Sequence, residues 1–323
     1  MRVSRDILEA CCARAALAPT VHNTQPARWR QDGDVLSLFC DTDVGLSVGD
    51  PSGRDAALSC GAVLEGMALA LSAQNIAVTA DYTDASCAPG QGLVAVAHLR
   101  LSDGAEDGLH AQLERRFTWR GVFADSTPEL YGWTRSDTRF VLDQSGRDWI
   151  AERNDWASLA IMQDAGFRTE LVSWMRLSDR HPRAGLDGMD RAAMGMSKLE
   201  AVAARAALLT FWPLLNRFGR TKGLVSEAAI TSKTPLIALF HRDIHENPVV
   251  SGRAYLRLCL EASSLGFAGW PMAALTDHPE ISADLAQRFG IPYDRRAIQA
   301  IPLGVPTGAA PPRARRPLPE VLR

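Results

Sequence analysis

The sequence lacks the glycine-rich signatures of two common nucleotide-binding folds. It contains neither GxGxxG nor GxxxxGK[ST]. These loops cradle phosphates with backbone amides in dinucleotide-binding folds and in P-loop enzymes. The sequence therefore supports neither of those two folds.

An excess of charge of one sign is also lacking. The chain has 35 basic and 37 acidic residues, a formal net charge of -2. This balance provides no global positive field for nucleic acid or anionic lipid, so a phosphorylated small ligand would need a local cluster of donors. We expect no nucleic-acid partner.

Signals for membrane insertion and secretion are weak. The apolar stretch 206–218 is too short to cross a bilayer and is flanked by Arg205 and Arg217. We interpret it as a buried or pocket-covering helix, with contact at a membrane surface as the alternative. The N-terminal segment carries Arg5 and Glu9 where a secretory signal would be apolar. The sequence therefore predicts a cytoplasmic protein without an integral membrane segment.

Cysteine and metal-binding patterns are sparse. The six cysteines show no CxxC spacing, so reduced and mostly buried thiols are expected. His241 and His245 lie four residues apart, but neither a third ligand nor an HExxH glutamate accompanies them. We expect no metal site.

The first third of the chain shows an ordered series of elements. Hydrophobic residues make up 46% of the 323, enough for one large domain or two packed halves. Periodicity predicts helices at 4–18 and 53–74, the second nearly all apolar and therefore central. Strands are predicted at 27–31, 35–40, 76–82 and 93–101.

The order of elements then begins again, which indicates a diverged repeat. Helices are predicted across 105–116 and at 128–134, 146–177, 189–216 and 248–265. Strands are predicted at 138–142, 234–241 and 296–303. The segment 178–195 is rich in glycine, proline and charge, so we interpret it as a mobile, lid-like loop.

Two stretches combine residue types that can hold a ligand. Residues 18–26, APTVHNTQP, place hydroxyl and amide side chains on a backbone stiffened by proline at both ends. A helix C-terminus whose carbonyls are satisfied by side chains explains them equally well. Residues 115–120, RRFTWR, place three guanidinium groups and a hydroxyl together, as a phosphomonoester requires. Taken alone, such a run is more often a solvated basic face.

Together with other segments, these stretches resemble the nitroreductase superfamily. Residues 18–26 resemble its APSSxNxQPW element, and 115–120 its RRSxRxF phosphate element. Residues 48–71 resemble the DPxGRxxxxxCGAAL helix of the Acg-type branch. LGFAGWPMAAL at 265–275 and the proline- and arginine-rich ending at 301–322 extend the resemblance over essentially the whole chain.

The resemblance implies an α+β, nitroreductase-like fold with two related halves, each containing a mixed, largely antiparallel sheet wrapped by helices. The halves would span 1–110 and 111–323, the second with an insertion or lid at about 178–222. In the superfamily the two elements come from different subunits of a dimer, so a chain that carries both would be a fused pseudo-dimer able to act as a monomer. The second half shows no further NxQP loop, which implies one FMN site per chain.

Carried over position by position, the resemblance implies the residues of that FMN site. Its phosphate would be held by Arg115, Arg116, Thr118 and Arg120, with help from Arg313, Arg315 or Arg316 of the tail. Its ring would be approached by Pro19, Thr20, Asn23 and Gln25, and backbone amides near Met272, Ala273 and Ala274 would face flavin N5 and O4. Ala27 stands where the family has an aromatic residue, so the packing there departs from the pattern.

The implied function is that of an FMN-dependent oxidoreductase. Hydride from NADH or NADPH would pass through flavin N5 to a small electron-poor acceptor, nitroaromatic or quinone-like, with no obligatory catalytic side chain. Protein donors would stabilise negative charge on the reduced flavin. The alternative is a non-catalytic protein that binds or sequesters FMN, because the insertion at 178–222 could cover the ring. A third interpretation is a structural relative without flavin.

Overall fold

The N-terminal half of the protein is built around one antiparallel sheet. The computed structural model describes residues 1–125, 130 and 132–323. The helices and strands of this half are α1 (Arg5–Ala15), β1 (Ala27–Asp32), β2 (Val35–Asp41), α2 (Arg54–Ser72), β3 (Ile76–Tyr82) and β4 (Leu93–Asp103). The strands pair in the order β1-β2-β4-β3. Short 3-10 helices occupy Val21–Asn23, Thr42–Val44 and Gly108–Gln112.

The C-terminal half contains a second sheet and most of the helices. Its strands are β5 (Thr138–Val141), β6 (Met175–Arg176), β7 (Met189–Asp190), β8 (Leu236–Asp243), β9 (Ala268–Gly269) and β10 (Arg295–Gly304). Its helices are α3 (Gln144–Ile161), α4 (Ala165–Trp174), α5 (Lys198–Ala206), α6 (Trp212–Arg217), α7 (Thr221–Val225), α8 (Ala228–Thr231), α9 (Pro248–Ser264), α10 (Ala274–Asp277), α11 (Pro279–Phe289) and α12 (Leu318–Val321). A π-helical turn, Ala207–Phe211, joins α5 to α6.

The two sheets share one strand order. The second runs β5-β8-β10-β9, so each sheet places its strands in the order first, second, fourth, third. A long helix follows the second strand in each case, α2 in one half and α9 in the other. All pairs in both sheets are antiparallel, and the parallel pair β6–β7 lies apart from them. The predicted α+β fold with two related sheets is confirmed.

Helices α2 and α9 pack against each other between the two sheets. Helix α2 is long and apolar enough to cross a membrane, but 94% of its most apolar window is buried inside the protein, so it is a core helix. Its one buried carboxylate, Glu65, accepts hydrogen bonds from Arg253 at 2.7 Å and Arg257 at 2.8 Å, both on α9. These charge-assisted bonds fix which side of each helix is turned toward the other.

Two glycines set the distance between α2 and α9. A Cβ at Gly61 would lie 2.0 Å from Val249 O, and one at Gly252 would lie 2.0 Å from Leu58 O. No carbon atom fits at such a distance, so each backbone can approach the other only where the side chain is absent. The pair therefore determines how closely the halves come together.

The helices of the second half depart most from the sequence-based prediction. The helix expected across 105–116 is only the 3-10 segment Gly108–Gln112. The one expected over 146–177 is divided into α3 and α4, because Asp164 accepts a hydrogen bond from Phe167 N at 3.0 Å and starts a new helix. The one expected from 189 begins at Lys198, where Ser197 and Glu200 form a capping box.

The structure also bears on the other helices of the second half, the cysteines and the tail. Residues 126–129 and 131, where much of the helix predicted at 128–134 would fall, lie outside the described residues. Helix α11 was not predicted, although it carries a proline at its first turn and Gly290 at its end. The six cysteines are free thiols and five of them are buried. The tail ends on the first sheet, where Arg323 N donates to Trp29 O at 2.9 Å.

We predict that Gly252→Ala destabilises the protein by about 3 kcal/mol, because the new methyl group forces α2 and α9 apart. The matched control is Gly223→Ala in α7, where a Cβ would meet nothing within 4 Å. That change should leave stability unchanged or slightly raised. Chemical denaturation of both variants measures the difference. Equal denaturation midpoints would contradict the close approach of α2 to α9.

Candidate functional site

Two arginines from distant segments converge on one carbonyl group. Arg116 Nη2 and Arg315 Nη2 each donate to Leu17 O at 3.1 Å. Leu17 follows the end of α1, where carbonyls lack helical partners and the helix dipole is negative. The arginine segment 115–120, the C-terminal tail and the loop after α1 therefore meet at one point.

A third arginine joins this pair and leaves the group strongly positive. Arg313 Nη2 donates to Arg116 O at 2.9 Å. Burial, with the charges of Arg116 and Arg313, lowers the pKa of Arg315 to about 9. Burial and the charge of Arg116 also lower the pKa of Arg313. Within the described residues, none of the three guanidinium groups has a carboxylate within ion-pair distance. We call Arg116, Arg313 and Arg315 the arginine cluster.

The donors of the arginine cluster fit a dianionic phosphate. Arg116 Nε and Arg315 Nε are buried and have no hydrogen-bond partner among the described residues. Buried donors without acceptors are costly, and like charges held together raise that cost. A phosphomonoester supplies both the missing acceptors and the missing negative charge. The residues present therefore fit the phosphate end of the flavin that the sequence implies.

The loop at 18–26 adopts an unusual backbone. His22, Asn23 and Gln25 have φ values of 43°, 54° and 53°, in the left-handed region that non-glycine residues seldom occupy. Thr20 Oγ1 accepts a hydrogen bond from Gln25 N at 3.2 Å and closes the turn, while Pro19 is half-buried beside it. The backbone is held in this shape by its side-chain contacts.

The two amides expected to approach a ring are instead bonded to protein. Asn23 Nδ2 donates to Gly188 O at 2.9 Å, and its Oδ1 accepts from Arg315 Nη1 at 3.3 Å. Gln25 Nε2 donates to Leu186 O at 2.9 Å, and Gln25 Oε1 accepts from the backbone N–H of Arg316 at 2.9 Å. In this structure both amides hold the segment 178–195 and the tail.

Asp187 explains why the segment 178–195 is held in place. Its carboxylate lies 2.6 Å from Arg176, 2.8 Å from Arg183 and 2.7 Å from Arg316. Burial alone would raise the pKa of Asp187, but hydrogen bonds from Arg176 and Arg183 and the charge of Arg316 bring it below its usual value. The segment expected to be a mobile loop is therefore anchored by a buried ion network, which we call the Asp187 network.

The Asp187 network also changes the role expected for Arg316. Its guanidinium pairs with Asp187 and, at 3.1 Å, with Glu320. A guanidinium whose charge is already neutralised has little to offer a phosphate. Among the three arginines of the tail, Arg313 and Arg315 therefore fit a phosphate better than Arg316 does. Arg115 differs again, because its side chain is exposed.

The segment around 268–274 lies beside the arginine segment. Thr118 forms a parallel bridge with Gly269, and Trp119 N donates to Gly269 O at 3.0 Å. Met272 N donates to Ala300 O at 2.8 Å, so this amide is committed to the second sheet, contrary to expectation. Ala273 and Ala274 are half-buried at the start of α10.

A polar recess lies next to the arginine cluster. More than a third of the surface of Arg120 is accessible, yet burial lowers the pKa of its guanidinium. Both facts hold when a side chain projects into a recess enclosed by protein. Burial and the charge of Arg120 lower the pKa of His22 to about 4, and burial raises the pKa of Glu227 against the opposing charge of Arg120. We call this group the Arg120 recess.

Helix α9 contributes to the same region. Burial raises the pKa of Tyr255, while the charges of Arg116 and Arg120 oppose the rise. Burial also raises the pKa of Cys259, again opposed by the charge of Arg116. Tyr255 of α9 therefore lies near both Arg116 and Arg120, and Cys259 of α9 lies near Arg116.

Sequence reasoning placed His22 within a ligand-binding stretch but assigned it no role, and it missed Glu227, Tyr255 and Cys259. His22 Nδ1 is buried without a partner, which only coordinates can reveal. Glu227 and Tyr255 belong to no motif and lie more than 100 residues from Arg120 along the chain. No sequence signal could have joined them to it.

An open cleft is lined by residues between 49 and 55 of the N-terminal half and by residues of the C-terminal half between 244 and 297. Its volume is about 520 Å³, and its charged lining residues are Asp50, Arg54, Asp55, Asp277, Arg295 and Arg296. The charge of Asp55 acts on His22. Burial raises the pKa of Asp277 to about 7, with the negative charge of Asp55 adding to the effect. The cleft therefore has a lining of mixed charge, and one of its residues, Asp55, lies near enough to His22 to act on it.

One serine pattern finds no support in the structure. Residues 45–49, GLSVG, match the GxSxG pattern of hydrolases. The hydroxyl of Ser47 donates to Glu170 Oε1 at 3.0 Å on an exposed turn, and no strand leads directly into a helix there. The geometry lacks the sharp strand-to-helix elbow that a nucleophilic serine requires.

Comparison with known proteins points to the class that these motifs predicted. No protein-family model matches the chain. A Mycobacterium tuberculosis protein provisionally named NAD(P)H nitroreductase acg is 41% identical over 71 residues, 22% of this chain and 22% of that protein. A second, similarly named protein from M. tuberculosis is 47% identical over 57 residues, 18% of this chain and 17% of that one. The matched part is thus about a fifth of the length of either relative.

Solved structures give weaker similarity. The FMN- and NADPH-dependent nitroreductase NfnB of Sphigopyxis sp. strain HMH is 14% identical, with a TM-score of 0.33 over 66% of this chain and 94% of that one. Iodotyrosine deiodinase bound to FMN and 3-iodo-L-tyrosine is 14% identical, with a TM-score of 0.34 over 65% and 94%. At such scores the fold assignment rests on the protein's own strand order. Over the matched segments the chain is similar to M. tuberculosis proteins of the Acg type, in agreement with the resemblance found in its motifs.

We predict that Asp187→Asn destabilises the protein by about 3 kcal/mol at neutral pH, because it leaves buried guanidinium groups uncompensated. The folded-state pKa of Asp187 lies below the unfolded value, so its contribution is complete above about pH 4 and is lost as pH falls through the folded pKa. The wild-type advantage should therefore shrink in acid.

Urea denaturation at neutral and acidic pH tests the prediction for Asp187. The matched control is Asp179→Asn, which removes an exposed partner of Arg191 and Lys198 and should change stability little. An Asp187→Asn variant as stable as this control at neutral pH would contradict the anchoring role of the network.

Proposed function

We propose that this chain is an FMN-dependent oxidoreductase of the nitroreductase type. It would take hydride from NADH or NADPH and reduce a small electron-poor acceptor, such as a nitroaromatic or quinone-like compound. The observation that carries the proposal is the arginine cluster, three partly buried cations without a carboxylate, at the point where the segments 18–26 and 115–120 meet. The names of the M. tuberculosis relatives support the same activity.

Each part of the region has a role in this proposal. Arg116, Arg313 and Arg315 hold the phosphate, and Thr118 offers a hydroxyl beside them. Arg120 places a positive charge in the adjoining recess, where it stabilises negative charge that develops during reduction. FMN, when bound, supplies hydride transfer at its N5 position. His22 stays neutral above about pH 4 and offers the recess a hydrogen-bonding group without a second cation.

The chain would carry a complete site without a partner subunit. Both flavin-binding elements and the tail belong to one polypeptide, which supports the halves proposed at 1–110 and 111–323 and a monomeric pseudo-dimer. The mixed-charge cleft beside His22 offers small molecules a route to the Arg120 recess. We propose the cytoplasm as its location.

A second candidate function is non-catalytic binding or sequestering of FMN. The observation that favours it is the anchoring of the segment 178–195 on the loop at 18–26, through Asn23 and Gln25. A segment held there by the Asp187 network would restrict access to a ring bound against the loop. The two functions differ in turnover and share the phosphate site.

We predict that Arg116→Ala and Arg315→Ala each weaken FMN binding about 10- to 100-fold, because each removes a charge-assisted bond to phosphate. The apoprotein should lose little stability, since removing one cation relieves repulsion within the cluster. Titration of apoprotein with FMN, followed by flavin fluorescence, measures the affinity.

The matched control for the phosphate site is Arg115→Ala, in the same segment but exposed. It should reduce FMN affinity far less than Arg116→Ala does. Equal losses for Arg115 and Arg116 would mean that net charge, rather than the arginine cluster, attracts the phosphate. Unchanged affinity in both cluster variants would refute the site.

We also predict that NADH or NADPH bleaches the FMN-loaded protein in the absence of oxygen, and that an added quinone restores the yellow colour. The measurement is absorbance in the flavin band under anaerobic conditions. Bleaching by dithionite but by neither nicotinamide would reject the oxidoreductase proposal and favour sequestering. A protein that takes up no FMN at all would reject both.

A further inference from the structure

The insertion at 178–222 exposes a continuous row of large apolar side chains. Leu199, Val202, Phe211, Leu214 and Phe218 are 80%, 67%, 51%, 54% and 68% exposed. We call these five residues the apolar face. Single exposed apolar residues are ordinary, whereas a contiguous row of this kind marks an interaction site.

The spacing of the apolar face follows a single helix surface. Leu199 and Val202 are three residues apart, and Phe211, Leu214 and Phe218 follow each other at three and four. The step from Val202 to Phe211 is nine residues, but it crosses the π-helical turn, which inserts one extra residue. The remaining eight residues make about 2.2 turns, so the five side chains fall within about a quarter of the helix circumference along α5, the π-helical turn and the end of α6.

The opposite side of these helices is fixed to the protein. Ala201, Leu208 and Trp212 are buried. The Arg168 guanidinium lies 5.0 Å from the centre of the Trp212 ring, and its Nε donates to Leu208 O at 3.1 Å. The apolar face is thus the outward surface of a firmly packed element, and something outside the chain must cover it.

The charges around the apolar face are almost all positive. Residues 198–222 contain five basic side chains and one carboxylate, Glu200, although the whole chain has a net charge of -2. Glu200 is bonded to Ser197 in the capping box. The four cations Arg205, Arg217, Arg220 and Lys222 are exposed and form no ion pair with any described residue. The covering partner should therefore be negatively charged.

We propose that the apolar face docks on an anionic lipid surface, with α5 and α6 lying in the plane of the interface. An interfacial helix combines a row of Leu and Phe side chains with basic residues, as this element does. Nearby lysine and arginine residues add attraction to acidic headgroups. The proposal concerns a peripheral contact, and it stands whether or not the protein binds FMN.

A second copy of the chain would fit the face less well. A twofold contact places the same patch against itself, so the unpaired cations of one copy would approach those of the other. Like charges juxtaposed across an interface cost binding energy. An acidic membrane offers an apolar interior to the Leu, Val and Phe side chains and a negatively charged surface to the cations. Lipid is therefore the favoured occupant.

We predict that the full chain sediments with vesicles of phosphatidylcholine mixed with an equal amount of phosphatidylglycerol, but not with phosphatidylcholine alone. High salt should weaken the binding because it screens the basic residues. Leu214→Gln with Phe218→Gln should abolish binding. Arg205→Gln with Arg217→Gln should weaken it about 30-fold, as expected for two cations near an acidic surface.

The matched control is Tyr293→Gln, which removes an apolar side chain that is 99% exposed outside the insertion and should leave vesicle binding unchanged. Circular dichroism checks that every variant is folded. The proposal fails if wild type does not bind the acidic vesicles, binds both kinds equally, or binds as before after the Leu214 and Phe218 changes. It also fails if sedimentation equilibrium finds a dimer that these two changes dissociate, since a second copy would then cover the face.

Discussion

The approach of α2 to α9 is the constraint on which the rest of the structure depends. Gly61 and Gly252 let the two backbones meet without side chains between them, and Glu65 fixes their facing through two arginines of α9. Helix α2 follows the loop at 18–26 in the chain, and α9 lies beneath the arginine segment. A wider crossing would separate the two stretches that form the candidate site.

The arginines near the site are of two kinds: within the described residues, some are paired with a carboxylate and others are not. Those around Asp187 are neutralised and anchor the segment 178–195. Those of the arginine cluster repel one another, and Arg116 and Arg315 each have a buried Nε donor without an acceptor among the described residues. An uncompensated cluster of this kind lowers the stability of the empty protein, and a bound dianion would recover that loss. Stability and ligand binding are therefore coupled at this point.

The segment 178–222 takes part in both regions of the molecule. Its first part is bonded to Asn23 and Gln25 beside the candidate site, and its later helices carry the apolar face on their outer side. A surface that holds α5 and α6 would act on the same insertion that borders the loop at 18–26.

The sequence alone was enough to determine the seven longer strands and the two long core helices, because periodicity is a local property. It also predicted that 18–26 and 115–120 belong to one site, because their residue types match two motifs of one family. Only the tertiary structure decided that Asn23 and Gln25 bind the protein itself, that Arg316 is neutralised while Arg315 is not, and that Glu227 lies near Arg120. Each of these depends on partners more than 100 residues away. Packing decides which of several similar side chains meets a distant partner. A local sequence pattern does not contain that information.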